Sequence, residues 1–101
     1  MKFSQSKNLL VLNVIWTKIA EKKLEEINKY LLDNFGQKTV DEFQVKLISS
    51  ADLISQNNEI GKRVREDLRV FLVVKQISIV YTVSSEIQIL TLWDNRQKPI
   101  W

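Results

Sequence analysis

The chain contains no cysteine and no histidine. Without cysteine there is no disulfide and no thiol nucleophile, a usage that fits a reducing cytosol. Without histidine the commonest general base at neutral pH and the commonest transition-metal ligand are both missing. No residue pattern calls for a metal or a cofactor. Glycine and proline are scarce, at 2 and 1, and the rest of the composition is that of an ordinary globular protein. No apolar run approaches the length needed to span a bilayer, and Met1–Lys7 is too polar for a signal peptide, so the expectation is a soluble cytoplasmic chain. At 101 residues it should form one domain over 1–101, with a loose leader at 1–8 and a polar tail at 94–101.

Charge is unevenly spread. Residues 1–61 hold eight lysines against eight acidic residues and no arginine. The whole net charge of +3 therefore comes from residues 62–101, where every arginine lies. Arginine forks bind carboxylates and phosphates bidentately, which points to an acidic or phosphate-bearing partner. The plainer reading is a solvated sheet rim.

The order of elements reads β, α, α, β, β, β. Leu9–Trp16 is rich in β-branched and aromatic residues and predicts the first strand. Thr17 is placed to cap a helix whose stripe is Ala20, Leu24, Ile27, Leu31 and Phe35, with Gly36 closing it in the left-handed conformation. Thr39-Val40-Asp41-Glu42 matches a capping box, and the second helix carries Val40, Phe43, Leu47, Ala51 and Ile54 on one side before fading at Gln56-Asn57-Asn58. So short a connection makes the helices antiparallel neighbours. Lys62, Arg63 and Arg65 then read as a solvated approach to three strands, Leu68–Val74, Ile77–Val83 and Ile87–Trp93, joined by turns at Lys75-Gln76 and Ser84-Ser85. On strict alternation Ile87, Ile89, Thr91 and Trp93 share one side of the last strand. The expected architecture is α+β, an N-terminal strand and α-hairpin packed on a small, mainly antiparallel twisted sheet.

Several pieces, in order and spacing, resemble the RelE/ParE toxins of bacterial type II toxin–antitoxin modules. They are Trp16-Thr17 with Ala20, Ile27–Leu31 running to Asn34-Phe35-Gly36, Asn58–Lys62, Leu68–Phe71, Ile79-Val80-Tyr81, and the tail Trp93–Pro99. The resemblance implies a growth-inhibiting toxin encoded beside an antitoxin that wraps and silences it. RelE-like members enter the ribosome and cleave messenger RNA; ParE-like members poison DNA gyrase and cleave nothing themselves.

Cleavage by 2′-OH attack needs a base, a cation for the phosphorane and an acid for the leaving oxygen. In RelE-like members an arginine usually sits just before the Val-Tyr pair of the third strand, where this chain has Ser78 in Ser78-Ile79-Val80-Tyr81. Were the chain a nuclease, Arg69, Lys75, Tyr81 and Arg96 would be its candidates, though a mid-strand tyrosine is more often core. The absent arginine and the long hairpin favour the ParE-like branch, with the ribosome-dependent nuclease and a non-toxic corepressor as alternatives. Candidate partner-binding residues are Arg69, Lys75, Trp93, Arg96 and Lys98. Arg96 reads either as a partner contact shared with Arg69 on the sheet rim or as a pair with Asp94. Trp93 reads as a core lid or a stacking platform, and Trp101 as folded back on the body or exposed as an anchor. An acidic amphipathic antitoxin segment would suit an apolar groove beside the hairpin.

Overall fold

The computed structural model describes residues 11–101 and carries the expected α+β order. Its elements are β1 (Val14–Trp16), α1 (Lys18–Phe35), α2 (Gln37–Gln56), β2 (Lys62–Arg65), β3 (Leu68–Val74), β4 (Ile77–Val83) and β5 (Ile87–Asp94). One five-stranded sheet runs β1-β5-β4-β3-β2; β1 is parallel to β5 and all other pairs are antiparallel. Among the described residues no helix is long and apolar enough to cross a membrane.

The first strand is shorter than the sequence suggests. Leu9, Leu10 and the leader at 1–8 lie outside the described residues, and 11–13 are irregular. Val14, Ile15 and Trp16 pair in register with β5, flanked by backbone bonds that Asn13 and Thr17 make with the same strand. Leu12 turns instead to the end of α2, donating its N–H to Ser55 O at 3.2 Å and accepting from Ser55 Oγ at 3.0 Å. Thr17 then caps α1 as expected. Its Oγ1 accepts from Ala20 N–H at 3.2 Å and donates to Ile89 O at 2.8 Å, pinning the helix start to β5.

Gly36 closes α1 with φ 96° and ψ 176°. Its φ is positive, as expected, but its ψ lies in the extended region that only glycine enters readily, not in the left-handed helix well. Its N–H satisfies Leu31 O and Leu32 O, both at 3.1 Å. α2 begins at the next residue, so Thr39 is already inside the helix and the capping box is not formed. The hairpin connection is a single glycine.

α2 buries Val40, Phe43, Leu47, Ser50 and Ile54, with Ser50 rather than Ala51 fully covered; its hydroxyl donates to Lys46 O at 2.8 Å. Of these, Phe43, Leu47 and Ile54, with Ala20 of α1, meet Ile79 and Tyr81 of β4 and Ile87, Ile89 and Leu92 of β5. Phe35 does not join them. It is 62% exposed and lies edge-on to Tyr30 at the last residue of α1.

In β5 a bulge breaks the simple alternation. Val80 pairs with Thr91 but Tyr81 pairs with Ile89, leaving Leu90 as the extra residue. Leu92 therefore falls on the core side opposite Ile79, while Trp93 faces away with Ser78. The stretch Lys62–Arg65 is solvent-exposed for the most part, as expected of charged residues, yet it forms the edge strand β2. Charge on an edge strand discourages pairing with other chains.

Gly36→Ala should lower stability by about 1–3 kcal/mol, since alanine is strained at this φ and ψ although no neighbour would touch its methyl. A fall in the urea midpoint with unchanged m-value checks this.

Candidate functional site

The candidate residues separate into three places. At one end of the sheet, Tyr81 is completely buried. Its hydroxyl donates to Asn58 O and accepts from Gly61 N–H, both at 2.9 Å. Gly61 sits so close that a Cβ there would lie 2.6 Å from the Tyr81 hydroxyl. Arg69, cross-strand from Tyr81, sends Nη1 to Glu59 O at 3.0 Å and Gly61 O at 2.8 Å. Together these two side chains clasp the connection between α2 and β2. Burial pushes the Tyr81 phenol above its usual pKa, against the opposing effects of the Gly61 N–H and the Arg69 charge. Arg69 also borders a polar cavity of about 420 Å³ shared with Arg63, Glu66 and Asp67.

At the other end, Arg96 forms a fork with Asp94: Nε to Oδ1 at 3.0 Å and Nη2 to Oδ2 at 2.7 Å, while the Arg96 backbone N–H also reaches Oδ1 at 3.0 Å. These bonds hold the Asp94 carboxyl down to about 2 and raise the guanidinium further above its ordinary value. Arg69 pairs with the strand at Tyr81 and Asp94 at Ile77, four residues apart on β4, or about 13 Å along it. The expected rim shared by Arg69 and Arg96 is therefore not formed. The pairing of Arg96 with Asp94 is.

The third place is the sheet face turned away from the helices. Trp93 is half-buried there with Trp101 folded back edge-on to it, ring centres 5.2 Å apart. Ser78 is buried beside Trp93 and donates to Asn95 Oδ1 at 3.0 Å; Asn95 in turn donates to Lys75 O and Gln76 O. Lys75 and Lys98 are exposed, the first in the β3–β4 turn and the second in the tail.

A groove of about 890 Å³ opens where the hairpin overhangs the sheet. Ile27, Leu31 and Phe43 wall it from the helices, Val74 and Ile77 from the sheet, and Asp94 and Arg96 stand at its edge. None of the other basic candidates lines it. Reading the sequence missed Asp94 and Tyr30 as groove residues, although the Asp-x-Arg spacing after a strand was a usable signal.

A family model described as the ParE toxin of the type II toxin–antitoxin system parDE matches residues 14–99. The chain belongs to the ParE toxin family. Solved structures agree with its fold. A chain of the chromosomal ParDE system from P. aeruginosa superposes with a TM-score of 0.69 at 19% identity, over 83% of this chain and 96% of that one. The YoeB dimer of Staphylococcus aureus gives 0.57 at 21% identity, over 82% and 95%. At these identities the likeness speaks for the fold alone. No curated protein sequence matches. Within this ParE-family chain, Tyr81 and Arg69 thus serve the framework, and the open groove carries Arg96.

Tyr81→Phe should cost about 1–3 kcal/mol by stranding the buried Gly61 N–H and the Asn58 carbonyl. The folded-state pKa of Tyr81 lies above the unfolded value of 10.0. Its stabilising contribution is thus complete below pH 10 and declines as pH rises beyond it. Chemical denaturation from neutral to strongly alkaline pH should show a shallower alkaline decline in Tyr81→Phe than in the wild type.

Proposed function

We propose that this chain is a growth-inhibiting toxin that acts in the cytoplasm by binding an essential target, DNA gyrase, without cleaving nucleic acid. An antitoxin encoded beside it silences it by seating an amphipathic segment in the groove beside the hairpin. The observation that carries the non-enzymatic reading is Ser78. The position at which RelE-like toxins usually place an arginine holds a buried serine, bonded to Asn95 of the tail.

Three of the four nuclease candidates support the same reading. Ribonucleolytic attack on a 2′-OH needs a base, an acid and a cation gathered at one phosphate. Here the Tyr81 hydroxyl is enclosed and engaged at both its donor and its acceptor. Arg69 is occupied by loop carbonyls at one end of the sheet, and Arg96 by Asp94 at the other. A binding toxin needs only a stable scaffold and an accessible surface, and both are present.

Expression without the antitoxin should arrest growth, and the purified protein should inhibit supercoiling by gyrase. Primer extension on cellular transcripts should show no new 5′ ends. Ribosome-dependent cuts would overturn the reading in favour of the nuclease, and harmless expression in favour of a corepressor.

A further inference from the structure

The groove has apolar walls and a rim whose charges cancel: Lys23, Lys46 and Arg96 against Glu26, Glu42 and Asp94. Such a rim offers nothing to a polyanion, because each added phosphate meets as many carboxylates as cations. It accommodates one negative charge well, provided a cation is already aimed to receive it.

Arg96 meets that condition. Lysine carries its charge on a flexible stem, whereas Asp94 fixes the Arg96 guanidinium along one edge through Nε and Nη2 and fixes its backbone N–H as well. Asp94 leaves the donors on Nη1 and the outer hydrogen of Nη2 unused, and the Tyr30 hydroxyl is the one other polar group named beside them, so at least one donor remains for a second acceptor. The side chain is still 63% exposed, and Tyr30 stands beside it on the α1 wall. Orientation before binding removes part of the entropy cost of forming a charged hydrogen bond.

On the reading that an antitoxin segment occupies the groove, we infer that Arg96 is its polar anchor. It receives a single carboxylate from an otherwise apolar helix face laid against Ile27, Leu31, Phe43, Val74 and Ile77. Asp94 is the positioning residue. The partner's chemistry follows: an Asp or Glu flanked by aliphatic or aromatic side chains at helical spacing, not a run of acidic residues. The apolar contacts supply affinity, and the one carboxylate sets register.

The test is titration calorimetry of the full chain with the full-length antitoxin encoded beside it. Arg96→Lys and Asp94→Asn should each weaken binding by roughly tenfold, in line with the loss of an interfacial charged hydrogen bond, while Lys18→Gln leaves it unchanged. Thermal unfolding of each variant checks that the fold survives. A double-mutant cycle against Asp→Asn and Glu→Gln changes in the antitoxin should find one carboxylate whose removal costs little more once Arg96 is lysine. Wild-type affinity in both groove variants, or additivity with every antitoxin carboxylate, would overturn the inference and leave the antitoxin reading intact. So would an oligonucleotide that displaces the antitoxin through Arg96. Failure of the wild-type chain to bind its antitoxin would overturn both.

Discussion

The hydroxyl of Tyr81 joins the middle of the sheet directly to the connection between α2 and β2. β4 lies in the middle of the sheet, and the connection between α2 and β2 passes over the end of the core. By bonding Asn58 O and Gly61 N–H, the phenol satisfies backbone groups that would otherwise be buried without partners. The absence of a side chain at Gly61 allows the approach, and Arg69 completes it from the neighbouring strand. That junction ties the end of α2 and the start of β2 to the middle of the sheet, beside the β2–β3 pairing and the apolar contacts of α2.

The groove arises from a mismatch in length. Helices of 18 and 20 residues extend about 27–30 Å, whereas seven residues of β3 or β4 reach about 23 Å. The distal part of the hairpin thus has an apolar inner face that the sheet meets only partly, at Val74 and Ile77. Leu31 and Phe43 lie at the boundary, in the core on one side and on the groove wall on the other. A single-residue connection at Gly36 keeps the two helices in fixed relation, so the groove exists before any partner fills it.

Much of this was legible in the amino-acid order because it depends on local periodicity. The stripe Ala20-Leu24-Ile27-Leu31, the Thr17 cap and the strand pairs of the meander follow from spacing alone. What the order of residues hid depends on distant partners. The bulge at Leu90 moves Trp93 to the opposite face, and only its pairing with Ser78 reveals this. Thr39-Val40-Asp41-Glu42 has the form of a helix start, but Gly36 began the helix earlier. Arg69 and Arg96 looked alike as cations near strand ends; the register separates them, and their partners, backbone carbonyls for one and a carboxylate for the other, could not be read from position.

The contact between Trp93 and Trp101 has a practical side. Two indoles touching edge-on couple electronically, so their near-ultraviolet circular dichroism depends on their mutual angle. Trp16 lies elsewhere, at the end of β1. The chain therefore possesses an intrinsic optical reporter of whether its final residues are seated on the sheet, readable without any added label.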